Sequence, residues 1–233
     1  MVTIQTGCKC IDTQIGGGIS PDTITLIYGE PETGKTTLAM QCATNCAVQN
    51  LKILFVDCDN TFYAKRLAHI SGDRFDEVAE RVILLKPKDF REQTAVVDQI
   101  QDYAIANVGL IIFDTFTSLY SAKVSESAVK ARTFGVNREL NRQLAILAQT
   151  VKTRKIPLII TSQVRSVFTD QTASVRPVAT RVLKFWADTI IALKPSETPK
   201  TVKAVLEKAR KIGQETTCYV QIGEKGIQDT QFH

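Results

Sequence analysis

Apolar residues along this chain fall in short unbroken runs, separated by longer stretches in which they recur every three or four positions. The runs read as buried strands and the periodic stretches as helices. "TITLIY" (Thr23–Tyr28) is the first strand, and after a Gly-bounded loop "KTTLAMQCATNCAVQ" reads as a helix. "KILFVD" (Lys52–Asp57) is a second strand, followed by a short helix, "TFYAKRLAHIS", that ends near Gly72. "VILLK" (Val82–Lys86) is the third; Pro87 ends it, and a helix is expected from about Asp89 to Ala106. "GLIIFD" (Gly109–Asp114) is apolar up to its last residue, as a strand covered on both faces should be. A polar stretch follows, then a long helical pattern from about Ser127 to Arg154 and a fifth strand, "IPLIITSQ" (Ile156–Gln163). Val164 to Thr180 is polar and shows no clear period. "DTIIALK", "VKAVLEKARK", "TCYVQIG" and "IQD" read as further strands, the last two joined around "GEKG" as a hairpin.

Strands alternating with helices predict an α/β fold: a mostly parallel central sheet with helices on both faces and an antiparallel C-terminal strand extension. No linker divides the chain, so residues 1–233 are expected to form a single core domain. The composition, 44% hydrophobic and 23% charged, is that of an ordinary globular protein. No apolar run approaches the roughly 20 residues that span a bilayer. "MVTIQTGCKC" has no basic head followed by an apolar core. The expectation is a cytoplasmic protein with no membrane partner. A net charge of +5 does not by itself argue for nucleic acid. The six cysteines read as small buried apolar residues in a reducing compartment. Cys42 and Cys46 would share a helix face, but the two histidines offer no second pair of metal ligands.

The chemistry lies in "GEPETGKTT", between the first strand and the first long helix. Gly29-x4-Gly34-Lys35-Thr36 is a full Walker A match in the context that motif requires. Gly29, Glu30, Pro31, Glu32, Thr33, Gly34, Lys35, Thr36 and Thr37 form the candidate nucleotide-binding loop. Its backbone N–H groups and the following helix N-terminus suit a phosphate. Lys35 would supply a point charge to the β- and γ-phosphates, Thr36 a ligand to Mg²⁺, and Thr37 a contact to the α-phosphate. "LIIFD" reads as the Walker B partner, with Asp114 at the metal. Asp57 and Asp59 in "FVDCDN" and Gln163 in "ITSQV" stand at other strand ends, on the ligand edge of an open α/β sheet. A carboxylate there could activate water and a Gln could sense the γ-phosphate; structural capping explains either equally well.

These motifs, with "TGCKCIDTQIGGGI", "NRQLAILA" and the closing "GEKGIQD", resemble the RecA/RadA recombinase family in content and order over essentially the whole chain. "ILLKPKDFREQ", and the lack of anything ahead of the core, narrow the resemblance to the archaeal RadB family of RadA paralogues. The resemblance implies an ATP- and Mg²⁺-binding DNA repair and recombination protein that binds DNA, hydrolyses ATP weakly and modulates the RadA recombinase. By position it makes Lys35, Asp59 and Gln163 the catalytic group, Thr36 and Asp114 the metal ligands, and Arg66 an arginine that packs on adenine. Asp59 departs from the family, which carries a Glu there, and Asn60 stands where the family has Gly. Asp is shorter by one methylene, roughly 1.5 Å of reach, so ATP binding with slow hydrolysis is expected.

The two polar stretches match the family's DNA-binding loops. The first region carries Lys123, Lys130, Arg132, Arg138 and Arg142, the second Arg165 and Arg176 with Phe168 to stack on a base. Single-stranded and double-stranded DNA are both compatible with such loops, as is an ordinary solvated surface. Lys200, Lys203, Lys208, Arg210 and Lys211 form another basic group, either a second DNA face or lysines guarding an exposed edge strand. Glu32 is read as pairing with a basic residue of the second loop, such as Arg165, when nucleotide is absent. RadA-type chains polymerise through a Phe-x-x-Ala segment ahead of the core. None precedes this one, so a homodimer is compatible but a robust filament is not expected. The rival readings are a non-hydrolysing ATP-switched binding protein and a signalling ATPase of the circadian-clock type.

Overall fold

The computed structural model describes residues 3–104, 107–126, 130–169, 172–209 and 215–230, with only the backbone described at 130–132, 165–169 and 172–177. Its strands are β1 (Ile24–Gly29), β2 (Lys52–Asp57), β3 (Val82–Leu85), β4 (Val108–Asp114), β5 (Leu158–Ser162), β6 (Val164–Thr169), β7 (Thr172–Pro177), β8 (Thr189–Pro195), β9 (Thr201–Lys208), β10 (Thr216–Gly223) and β11 (Gly226–Asp229). Its helices are α1 (Lys9–Gln14), α2 (Lys35–Ala47), α3 (Ala64–Ser71), α4 (Phe75–Ala79), α5 (Phe90–Asp98), α6 (Ile100–Tyr103), α7 (Ser118–Ser125), α8 (Lys130–Arg154) and α9 (Thr180–Trp186). Nine strands make one sheet in the order β11-β10-β9-β8-β1-β5-β4-β2-β3. From β8 to β3 every pairing is parallel, and from β8 to β11 every pairing is antiparallel. The expected α/β architecture with its antiparallel extension is therefore the observed one.

The unbroken apolar runs have a direct explanation, because successive residues of the inner strands enter two cores. On β2, Leu54 and Val56 pack on one face with Ile111 and Phe113 of β4. Ile53 and Phe55 pack on the other with Leu110 and Ile112. Helices α5, α6, α8 and α9 cover the first face through Phe90, Ile100, Leu144 and Leu183. Helices α1, α2, α3 and α4 cover the second through Ile11, Leu38, Leu67 and Val78. At about 25 cal/mol per Å² of apolar surface, this double burial is what holds the sheet.

Several local expectations give way. The stretch without a clear period, 164–180, forms the β6–β7 hairpin and the start of α9. It is a two-stranded ribbon outside the main sheet. The polar segment after β4 contains α7, which buries no residue completely and so lacks an apolar stripe. The helix expected over 89–106 breaks at Gln99 into α5 and α6, and 105–106 fall outside the described residues. Strand β9 is not an edge strand: it pairs with β8 and β10, and Lys208 donates to the Ala187 carbonyl at 2.5 Å. Arg210 and Lys211 lie outside the described residues. Of the cysteines, Cys8, Cys42, Cys46 and Cys58 are free and buried as expected, but Cys10 and Cys218 form a disulfide that joins α1 to β10. Among the described residues no helix is long and apolar enough to cross a membrane.

The C-terminal hairpin clasps α2. Gln41 Nε2 donates to the Ile227 carbonyl at 3.0 Å, and the Ile227 N–H donates to Gln41 Oε1 at 2.7 Å, both buried. Gln41→Ala would leave a buried backbone donor and acceptor unpaired. It should destabilise the fold by about 1–3 kcal/mol, measured as a lower urea midpoint at unchanged slope.

Candidate nucleotide site

Strand β1 delivers Gly29 against β8 so closely that a side chain has no room. A Cβ there would lie 2.2 Å from the Leu193 carbonyl oxygen and 2.7 Å from Thr33 Oγ1. The loop then turns through Glu32 (φ +64°) and Gly34 (φ +91°). Thr33 Oγ1 and Lys35 Nζ both donate to the Glu30 carbonyl, at 2.8 and 2.7 Å. Helix α2 starts at Lys35, and its first internal bond runs from the Leu38 N–H to the Gly34 carbonyl. The preceding N–H groups therefore have no partner within the helix, and with the helix dipole they form an anion cradle. A Cβ at Gly34 would meet Ile227 and Ile222 of the hairpin at 3.0 and 3.1 Å.

Asp114 ends β4 beside this loop and is fully buried. The Thr161 hydroxyl donates to its Oδ1, while Oδ2 is buried without a hydrogen-bond partner. Burial pushes the Asp114 carboxyl above the ordinary carboxylate range. Thr161 and the nearby Thr36 hydroxyl oppose that rise, and the negative charges of Asp59 and Asp57 add to it. Burial pushes Lys35 the other way, below the usual lysine range, against the pull of Asp114, Asp59 and Glu30. A buried carboxylate oxygen with an open lone pair and a threonine beside it offer oxygen donors suited to Mg²⁺, and the lysine within electrostatic reach offers a charge suited to phosphate. These residues fit a metal–nucleotide.

The two other strand-end carboxylates have different surroundings. Asp57 pairs in register with Asp114 across β2 and β4. Its carboxylate accepts from the Thr61 and Phe62 N–H groups at 2.9 Å each, and Lys86 Nζ stands 3.5 Å away. It builds the turn into α3. Asp59 makes no such bond: Gln163 Nε2 reaches its Oδ2 at 3.5 Å, so these two residues meet at the open side of the cradle. Asn60 holds the turn at φ +56°, a conformation Asn tolerates, and its side-chain oxygen accepts from Lys86 at 3.0 Å. Lys86 and Thr161 were given no role in the sequence reading, although both lie in stretches it singled out, "ILLKPKDFREQ" and "ITSQV". Their place at the C-terminal ends of β3 and β5 was the available signal.

Arg66 spans two elements of the site. Its guanidinium donates to the Gly223 and Glu224 carbonyls of the β10–β11 turn, at 2.9 and 3.0 Å, and to Thr37 Oγ1 at 3.3 Å. Among the candidate DNA contacts, Arg142 is held by Glu139 and by Asp98 at 2.8 Å, and Lys123 by Glu126 at 2.9 Å. The side chains of Lys130, Arg132, Arg165, Phe168 and Arg176 lie outside the described residues, and with them the expected Glu32–Arg165 pair. The backbone places Arg165 opposite Arg176 across the β6–β7 ribbon, which follows directly on Gln163.

Fold and cradle together define a RecA-type α/β core carrying a P-loop. The Rad51 family model matches residues 1–230. The DNA repair and recombination protein RadB of Thermococcus kodakarensis is 32% identical over 98% of this chain and all of its own length. RadB of Archaeoglobus fulgidus is 33% identical over 97% of each chain. A solved structure described as the RadB recombinase superposes with a TM-score of 0.83 at 32% identity, covering 98% of this chain and 100% of that one. The chain belongs to the Rad51 family, in its RadB group.

Gly29→Ala should cost about 1–3 kcal/mol through overpacking against β8, because the obstructing Leu193 oxygen belongs to backbone. Thermal unfolding of the variant against wild type measures it.

Proposed function

We propose that this chain is an ATP- and Mg²⁺-binding DNA repair and recombination protein that hydrolyses ATP slowly, binds DNA and modulates the RadA recombinase. The observation that carries the nucleotide reading is the unpartnered, buried Oδ2 of Asp114 beside Thr36 and Lys35. Asp114 and Thr36 would hold the cation, Lys35 would face the phosphates, and the loop N–H groups would cradle them. Mg²⁺–ATP supplies a phosphorus open to attack and a cation to neutralise charge. Asp59 would orient the attacking water and accept its proton. Gln163, in contact with Asp59 and one residue before the β6–β7 ribbon, would link the state of the cradle to the position of that ribbon.

The pairing of Asp59 with Gln163 also favours slow turnover, since a short carboxylate already engaged by a neighbour reaches less far toward water. A misplacement of about 1 Å costs on the order of 100-fold in rate. Asp59→Glu should therefore raise steady-state ATP hydrolysis by about 10- to 100-fold while leaving ATP affinity close to wild type. Equal rates in the two proteins would sink the slow-hydrolysis reading, and no hydrolysis in either would favour a pure ATP-switched binder.

The DNA reading is supported by the likeness to DNA repair and recombination proteins and by the basic ribbon positions Arg165 and Arg176, and the RadA reading by the chain's place in the RadB group alone. Single-strand binding should weaken linearly in log K against log salt. A flat plot would remove phosphate contact from the reading. Capture of RadA from a mixture of the two purified proteins, with ATP, ADP or no nucleotide, tests the partner. Retention that depends on nucleotide is expected, and absence of capture in all three conditions would exclude it.

A further inference from the structure

Away from the cradle, three cysteines and one carboxylate converge where α1 meets the C-terminal hairpin. Cys8, Cys10 and Asp229 each present one donor atom, and all three atoms lie within 4.8 Å of one another. Cys8 Sγ donates to Asp229 Oδ1 at 3.1 Å. The fourth group, Cys218, is joined to Cys10 through the disulfide, with their Cα atoms 6.3 Å apart. Cys8 is fully buried, and Cys10 and Asp229 are half-buried. The carboxylate is fixed before any ligand arrives: the Cys10 N–H donates to Oδ1 at 2.8 Å and the Lys9 N–H to Oδ2 at 3.0 Å.

A disulfide with a carboxylate capping a short helix accounts for Cys10, Cys218 and Asp229. It leaves Cys8 without a task, since any small buried residue would serve at its position. A tetrahedral Zn²⁺ uses all four groups. With Zn–S bonds of about 2.3 Å, neighbouring donors stand about 3.8 Å apart, inside the 4.8 Å span of the Cys8, Cys10 and Asp229 donor atoms, and Cys218 is held beside Cys10 by the bond between them. Cys8 and Cys10 form a Cys-x-Cys pair at the start of α1; burial and the Asp229 carboxylate hold the Cys8 thiol protonated in the metal-free chain, up to about 12, so a bound cation has to displace that proton. The soft thiolates select Zn²⁺ over Mg²⁺ or Ca²⁺. Among the described residues this is the one cluster of His, Cys, Asp and Glu with such a donor spacing.

We propose that, once the Cys10–Cys218 bond is reduced, Cys8, Cys10, Cys218 and Asp229 bind one Zn²⁺ that fastens α1 to the β10–β11 hairpin. Reduction takes two electrons and two protons from a dithiol, which becomes a disulfide and leaves Cys10 and Cys218 as thiols. Zn²⁺ then displaces the thiol protons of Cys8, Cys10 and Cys218 into solvent as the three sulfur bonds form. A small-molecule disulfide reverses the step: it takes two electrons from the Cys10 and Cys218 thiolates and two protons from solvent to become a dithiol, the Cys10–Cys218 bond re-forms, and Zn²⁺ leaves as Cys8 regains its proton. This inference does not rest on the nucleotide reading.

The test uses the full chain, reduced with a dithiol that is removed anaerobically, and then titrated with Zn²⁺ against a chromophoric chelator and, separately, with Co²⁺. One Zn²⁺ per chain is expected. Bound Co²⁺ should show thiolate charge-transfer and the intense visible bands of a tetrahedral site. Cys8→Ser should weaken Zn²⁺ binding by more than about 100-fold, Cys42→Ser should bind as wild type, and the oxidised chain should take none. No Zn²⁺ on the reduced wild type, Co²⁺ without thiolate bands, or undiminished binding by Cys8→Ser would each overturn the proposal. The Co²⁺ spectrum of the wild type decides the question even if the Cys8→Ser protein fails to fold.

Discussion

A carboxylate buried without a full set of partners is among the costliest groups a fold can hold, and Asp114 is such a group. It stands at the last position of a strand whose other residues are almost all submerged. Two hydroxyls ease its charge, from Thr161 on the neighbouring strand and Thr36 at the start of α2, and a lysine lies within electrostatic reach. One oxygen is left open. The fold therefore holds an electrostatic demand for a cation at the edge where β1, β4 and β5 end, and the loop beside it offers amide donors for an anion. A site with both needs is one that a metal–phosphate would fit.

The loop's shape owes as much to its neighbours as to phosphate chemistry. Gly29 is required because β8 passes within a bond length or two of where a Cβ would be, and Gly34 because the loop turns left-handed under Ile222 and Ile227. The same hairpin grips α2 through Gln41 and receives the guanidinium of Arg66 at its tip. The antiparallel extension is thus a strap across the first turn of the nucleotide helix. Its other end meets α1 at Asp229 and the Cys10–Cys218 bond. Whatever loosens that junction acts on the strap first and on the cradle through it.

Elements that bury residues on both faces of the main sheet were legible in the chain. Strands β2 and β4, and helix α2 after its glycine, follow from apolar runs and turn residues that admit one reading. The β6–β7 ribbon and α7 were not legible. The ribbon lies outside the main sheet, and α7 buries no residue completely, so pairing with a partner strand or capping by neighbouring turns decides their form. The strand order was equally hidden. Placing β9 inside the sheet, and so removing it from consideration as a guarded edge, needs to know what lies on each side of it.

By itself the sequence determined that a strand, a glycine-bounded loop and a helix would have the form of an anion cradle, and that an acid would end another strand, because local geometry and residue type suffice for both. Tertiary structure alone decided which acids serve which purpose. Asp57 and Asp59 are two residues apart and alike in type, yet one is spent on the backbone of a turn and a lysine while the other faces Gln163. It also decided that four of six cysteines are free and buried and two are bonded, across 208 residues. Hydrogen-bond partners and thiol neighbours come from distant parts of the chain, and distance along the sequence says nothing about which of them will meet.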